Sequence, residues 1–258
     1  MNSEITPVYI RLDEVDSTNN WLKANGAAYG HGTVVTAAAQ TAGRGQRGNS
    51  WESQPGANVT MSMLIEPRDV PASQQFAVSE VVSLAVVDTL RKFLGDDAPV
   101  AVKWPNDIYW NDKKICGILI ENVLCGTRIL RSVVGIGLNV NQREFLSDAP
   151  NPVSMYQIAG HEFDVEEVLQ ILSQNIMGYC GEYLSSSEGM EQLHGLYMRN
   201  LWRREGLHPY RDTATGRGFK ARIAAISPEG MLSLEEPGGN TGIYAFKEVK
   251  ALIEGREL

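Results

Sequence analysis

Cysteine is scarce in this 258-residue chain: Cys116, Cys125 and Cys180 are its only three, and none shares C-x-x-C spacing with another. A disulfide framework and a structural zinc are therefore both disfavoured, and a reducing cytoplasm is the simplest setting. Long apolar runs are missing as well. The best, Val81 to Val87, is broken by Ser83 and falls short of the ~18 residues a spanning helix needs, so no membrane partner is expected. Met1 to Ile10 contains Glu4 and lacks the basic-then-apolar order of a secretory signal. Positive charge is in deficit: 23 Lys and Arg against 31 Asp and Glu leave a net charge of −8. Residues 206–258 are balanced, so the acidic excess lies within 1–205. Such a body repels a nucleic-acid backbone, and DNA is not an expected partner.

What is present is an ordinary globular composition, 43% hydrophobic and 21% charged, long enough for a main core and a small second one. Against the acidic background two basic runs stand out. One is Gln40-Thr41-Ala42-Gly43-Arg44-Gly45-Gln46-Arg47-Gly48; the other is Lys103-Trp104-Pro105-Asn106-Asp107 with Lys113-Lys114 shortly after. Neither has an acidic neighbour evidently placed to neutralise it. Glycines let backbone approach a ligand, and the cations supply charge for a phosphate or carboxylate.

The periodicities give an α+β chain. Asp16-Ser17-Thr18-Asn19 offers N-caps for a short helix stopping near Gly26. Thr33 to Ala38 and Val59 to Ile65 read as strands, the latter half-buried by alternation. Ser73 to Leu94 reads as a largely buried helix. A β-meander follows over 100–104, 108–110, 115–124 and 128–135, with turns at Asn111-Asp112 and Cys125-Gly126. Val165 to Tyr183 and Met190 to Trp202 predict two more helices. A linker at Gly206 to Pro209 then leads to short strands around 220–226, 231–234 and 242–245, a pattern that suits a small barrel.

Gly43 to Gly48 satisfies G-x-G-x-x-G by letter, but Asn49-Ser50-Trp51-Glu52-Ser53-Gln54-Pro55 is a poor start for the helix a dinucleotide fold requires. As a P-loop it has Asn49 where the lysine should be. A kinase is excluded because none of the four histidines opens an H-R-D loop. A loop able to close over an anion and a solvated surface hairpin both stay open. In the second run Pro105 turns the chain and presents Asn106 and Asp107 at a strand end. An Asn amide can pair with adenine, and Asp107 could hold Mg²⁺ or orient an attacking amine. Lys114 shares a strand face with Cys116, Ile118 and Ile120, and Gly117 leaves space beside it. An ordinary turn and an exposed hairpin edge are the structural alternatives.

Taken together, Ser17-Thr18-Asn19, Gln40 to Gly48, Lys103 to Asp107, Lys114 to Glu121 and Gly135-Ile136-Gly137-Leu138-Asn139-Val140 resemble the biotin–protein ligase (holocarboxylase synthetase) family. The resemblance runs in order to about residue 141. It implies a catalytic domain over 1–205, a mixed sheet packed with helices like a class II aminoacyl-tRNA synthetase. Over 206–258 it implies a small SH3-like barrel.

The implied activity has two steps: biotin and ATP give biotinyl-5′-AMP and pyrophosphate, then biotin passes to a lysine of a biotin carboxyl carrier protein. The resemblance assigns biotin to Ser17, Thr18, Asn19 and Gln40, with Arg44, Gly45 and Gln46 closing over the carboxyl and phosphate end. Lys114 would contact the carboxylate and then the acyl phosphate, with Gly117 admitting close backbone. Lys103, Asn106 and Asn139 would face the nucleotide and Trp51 would cover the adenine. Arg44, Lys114 and Asp107 are the candidate catalytic residues, Asp107 for the acceptor lysine or Mg²⁺. Gln46 departs from the family, which often has a further arginine there. Some members carry a winged helix-turn-helix ahead of the catalytic domain; with Ser17 so near the start no such module, and no operator binding, is expected. A homodimer is left open. The rivals are a lipoate–protein ligase and a non-catalytic biotin or nucleotide sensor.

Overall fold

The computed structural model describes residues 6–46, 49–147, 149–253 and 256–257. Arg47 and Gly48, which close the glycine-rich run, lie outside the described residues, as do the first five residues of the segment tested for a signal.

The chain opens on β1 (Val8–Val15), α1 (Thr18–Asn25) and β2 (Thr33–Gln40), with β1 and β2 parallel. The helix stops where expected, Gly26 N–H closing on Leu22 O. β1 went unpredicted: its exposed edge carries Asp13 and Glu14 and shows no clean alternation. β3 (Val59–Ile65) is followed by α2 (Phe76–Leu94), which starts three residues later than the apolar pattern because Ala72–Gln74 form a 3₁₀ turn behind Pro71. The meander is confirmed as β4 (Val100–Lys103), β5 (Asp107–Trp110), β6 (Lys113–Cys125) and β7 (Arg128–Leu138). These strands form one mixed sheet in the order β1-β2-β3-β7-β6-β5-β4, antiparallel everywhere except β1–β2.

After the short α3 (Met155–Ala159), α4 (Val165–Tyr183) and α5 (Ser187–Arg199) pack with α2 on one face of the sheet. α5 begins ahead of its apolar stripe because Ser186 caps it, its Oγ accepting from Gly189 N–H. On that face Val59, Met61, Met63 and Ile65 join the main core. β3 is not half-buried as its alternation suggested, for all seven residues are buried. Its other side, Thr60, Ser62 and Leu64, is covered by α1, where Leu22 packs on Val35, Leu64 and Val133. Burying both faces leaves α1 pressed onto the sheet, which is what places residues 17–19 over β3 and β7.

A second, antiparallel sheet is built from β8 (His208–Asp212), β9 (Gly218–Ile226), β10 (Leu232–Glu235), β11 (Thr241–Tyr244), β12 (Val249–Ile253) and β13 (Arg256–Glu257), ordered β11-β10-β9-β8-β12-β13. The expected linker is shorter than Gly206 to Pro209, since His208 and Pro209 already pair with β9. The two bodies meet through α2, the β4–β5 turn and loops of the second sheet. Trp104 Nε1 donates to Gly230 O at 3.0 Å, Phe76 N–H reaches Pro228 O, and the Trp104 and Phe246 rings lie edge to face. Gly230 has φ +92 and any Cβ there would press on Phe76, so the contact requires glycine. Among the described residues no helix is long and apolar enough to cross a membrane.

Candidate active site

A cleft of about 740 Å³ opens on the sheet face opposite α2 and α4, and thirteen of the fourteen sequence-predicted site residues line it. At one end is a polar cluster. Ser17, Thr18 and Asn19 are only 2–3% exposed at the first turn of α1. Gln40, ending β2, accepts at Oε1 from Thr18 N–H (2.9 Å) and the Thr18 hydroxyl (3.3 Å). Ser62 on β3 places its Oγ 2.8 Å from Thr18 Oγ1 and 2.5 Å from Asn19 Oδ1. The Asn19 amide lies so close to β7 that a Cβ on Gly135 would overlap its oxygen.

In the middle of the cleft Gly117 and Gly137 face each other across β6 and β7, and the Trp51 indole rests on both. The space expected beside Gly117 is therefore filled by Trp51 and by the Lys114 stem, 2.9 and 3.3 Å from where a Cβ would stand. Trp51 Nε1 is buried without a hydrogen-bond partner. Lys114 Nζ sits 5.5 Å from the ring centre, within cation–π range.

The other end is ionic. The chain turns from β4 to β5 through a cis Trp104–Pro105 bond, bringing Lys103 and Asp107 opposite each other in register. Lys114 Nζ lies 2.6 Å from Asp107 Oδ1, and Lys103 Nζ 3.9 Å from Asp107 Oδ2. The cations thus have an acidic partner supplied across the strands, which corrects the expectation that none neutralises them. Lys103 does not line the cleft; it sits behind Asp107 and over the Tyr109 ring at 5.1 Å. Burial pulls the Lys103 ammonium below the usual lysine range, against the opposing pull of Asp107. Burial likewise pushes the Cys116 thiol far up, so that cysteine is inert.

Asn106 lines the cleft, but its Nδ2 donates to Ile118 O at 2.5 Å and its carbonyl accepts from Ile118 N–H. The bond to Ile118 O uses one of the two Nδ2 hydrogens, leaving the second and Oδ1 for an adenine edge. Asn139 is different: Nδ2 donates to Val153 O, while Oδ1 is buried with no partner. Arg44 Nη1 donates to Asn20 Oδ1 at 2.7 Å and stands 3.9 Å from Glu121 Oε2. The glycine-rich run folds back on itself, Gly45 N–H to Asn49 O and Trp51 N–H to Gly43 O.

The sequence reading overlooked Ser62, hidden in an apolar strand, and Glu121, which closed a motif without a role. It also overlooked Phe246, which the second sheet contributes to the cleft wall.

Residues 9–139 match the model of the biotin/lipoate A/B protein ligase family. The chain is 34% identical over 247 residues to the biotin–[acetyl-CoA-carboxylase] ligase of Paracoccus denitrificans, covering 91% of this chain and 97% of that one. It is 31% identical over 243 residues to the bifunctional ligase/repressor BirA of Bacillus subtilis, covering 91% and 70% of the two. Among solved structures it is similar to the biotin protein ligase of Aquifex aeolicus in complex with biotin and ATP. There the TM-score is 0.77 and the identity 26%, over 95% of this chain and 98% of that one.

Proposed function

Because the chain belongs to the biotin/lipoate A/B protein ligase family, we infer that it is an ATP-dependent biotin–protein ligase acting on the lysine of a biotin carboxyl carrier protein. One observation carries this beyond the family. A single cleft joins a buried cluster of neutral hydrogen-bonding groups to a lysine–carboxylate corner, with Trp51 between them. A cyclic urea needs the first, and a carboxylate meeting a triphosphate needs the second.

In this reading Ser17, Thr18, Asn19 and Gln40 take the ureido ring. A biotin carboxylate oxygen attacks the α-phosphorus of ATP, the bond to the bridging oxygen breaks, and pyrophosphate leaves. Lys114 exchanges its contact with Asp107 for the reacting oxygens, and Arg44, with Gly45 and Gln46, closes from the loop. Fixed cations lower the repulsion of two anions, and a closed loop shields the acyl phosphate from water. Asn139 Oδ1, lacking a donor, suits the exocyclic amine of adenine, and Trp51 the flat ring. In the second step the acceptor amine attacks the acyl carbon, the bond to the phosphate oxygen breaks, AMP leaves and the amine loses a proton. Asp107, which already holds one lysine ammonium, is suited to position another. Lys103 acts indirectly, by supporting Asp107.

Mg²⁺ is usual where ATP is the substrate. No group of three or more His, Cys, Asp or Glu gathers among the described residues, and Lys114 takes one Asp107 oxygen. The donor set does not make a metal site of the protein's own. Asp107, with Lys114 on one of its oxygens, is assigned to lysine positioning.

The boundaries 1–205 and 206–258 are supported by the sheets, which occupy residues 8–138 and 208–257 without sharing a strand. The six-stranded order agrees with an SH3-like barrel, and the mixed sheet with helices on one face agrees with a class II synthetase-like domain. A cytoplasmic setting is supported by the ATP substrate and the three free thiols.

The test is [³²P]pyrophosphate exchange into ATP. Exchange that depends on biotin and not on lipoate supports the reading. Lipoate dependence assigns the chain to the other branch of the family, and binding of both ligands without exchange makes it a sensor.

A further inference from the structure

Glu121, on β6, is outside the cleft lining, yet its carboxylate binds groups that belong to it. Oε2 accepts from Asn19 Nδ2 at 3.2 Å and stands 3.9 Å from Arg44 Nη1; Oε1 accepts from Lys23 Nζ at 2.8 Å. An ionised carboxylate can only accept hydrogen bonds. It therefore forces the NH₂ side of the Asn19 amide toward β6, where the second hydrogen reaches Leu119 O at 3.4 Å. The amide oxygen must then face Ser62.

That choice propagates. Ser62 has one hydroxyl hydrogen and two oxygen neighbours, Asn19 Oδ1 and Thr18 Oγ1. With Asn19 presenting oxygen, the hydrogen goes to Asn19 and Ser62 is left to accept at 2.8 Å from the single hydroxyl hydrogen of Thr18, in place of the longer 3.3 Å contact with Gln40 Oε1, which keeps the Thr18 N–H. Both Asn19 donors are used, and only a lone pair on Oδ1 is left for the cleft. Burial works to raise the Glu121 carboxyl, but hydrogen bonds from Lys23 and Asn19 and the charges of Lys23 and Arg44 outweigh it and hold it below the ordinary value. It is a carboxylate across the neutral pH range.

We propose that Glu121 is a positioning residue that fixes the donor–acceptor sense of the cluster over the ureido ring, and through it selects biotin. The proposal rests on the assignment of Ser17, Thr18, Asn19 and Gln40 to biotin. Its physical core is that Asn19, Ser62 and Thr18 could run in either direction, and one acceptor-only group at the end permits one.

The test is pyrophosphate exchange with biotin and ATP varied separately, on Glu121→Ala, Glu121→Gln, Asn19→Asp, the Asn19→Asp/Glu121→Gln double variant and Lys23→Ala. Freeing the Asn19 amide should raise the biotin KM about tenfold in Glu121→Ala, and less in Glu121→Gln, with the ATP KM within about twofold. Asn19→Asp sets two carboxylates against each other and should raise the biotin KM more. The double variant restores an acceptor at 19 facing a donor at 121 and should recover most of that loss. Lys23→Ala, which removes only the ion pair, should leave both KM values near wild type. An unchanged biotin KM in both Glu121 variants, equal rises for biotin and ATP, no rescue in the double variant, or a Lys23→Ala effect equal to Glu121→Ala would each overturn the proposal. Those results leave the enzyme's activity standing, whereas wild type without biotin-dependent exchange removes the functional reading and this inference with it.

Discussion

Lys114 Nζ lies 2.6 Å from Asp107 Oδ1, while Lys103 stands 3.9 Å from the other oxygen of the same carboxylate. One acid thus holds two cations of unequal standing, Lys114 at the cleft surface and Lys103 half-buried behind. Lys114→Ala and Arg44→Ala should each lower adenylation by about 10²–10³, the range for losing one preorganised charge contact at a reacting oxygen. Unchanged circular dichroism alongside the kinetic loss would place the effect in the site. Near wild-type exchange in both variants would remove the catalytic assignment.

Asp107→Asn should slow transfer to the acceptor lysine more than it slows pyrophosphate exchange, because the carboxylate's proposed task belongs to the second step. Single-turnover transfer from preformed biotinyl-5′-AMP, compared with exchange, separates the two. Equal losses in both would assign Asp107 to adjusting Lys114 alone.

Gly135→Ala and Gly137→Ala should divide the cleft. A methyl at 135 overlaps the Asn19 amide and one at 137 overlaps the Trp51 indole. The first is expected to raise the biotin KM and the second the ATP KM, in steady-state assays at saturating partner substrate. A shift of both constants in both variants would mean the sheet itself had moved.

Gln46→Arg should slow release of the adenylate by adding a cation to the loop beside the phosphate. Rapid-dilution measurement of the complex reads this directly, and an unaltered release rate counts against a role for position 46.

Away from the cleft, His194 Nδ1 lies 2.6 Å from Glu80 Oε1 between α5 and α2. Burial raises the Glu80 carboxyl against the opposing contact with His194, and the bond to Glu80 raises His194 despite its own burial. Both folded-state values lie above the unfolded ones. The stability tied to them is therefore complete below the unfolded pKa and lost as pH rises through the folded one. Melting temperature should fall as pH is raised from about 6 through the raised histidine range. His194→Gln should flatten that slope. A wild-type profile that rises with pH, or an unaltered slope in the variant, would contradict the pairing.

Much of this architecture was legible where the signal is local. The helices at 18–25, 76–94 and 165–183 follow from apolar spacing and caps, and the meander from alternation broken at Asn111 and Gly126. β1 was not, because an edge strand needs little apolar pattern once a neighbour supplies its hydrogen bonds. In the site, motif residues announced themselves through glycine and charge. Ser62 and Glu121 could not, since their partners lie 43 and 102 residues away. Lys103 shows the opposite failure: sequence registers its charge and is silent about its burial.

Phe246 belongs to the second sheet, yet it helps wall the cleft and its ring meets Trp104 beside the Pro105 turn. The smaller body is thus structural masonry for the larger one's chemistry, and a fragment ending at 205 would lose part of its own enclosure. The joint at Gly230, where the Trp104 indole donates to its carbonyl, ties the second body to the turn that carries Lys103 and Asp107.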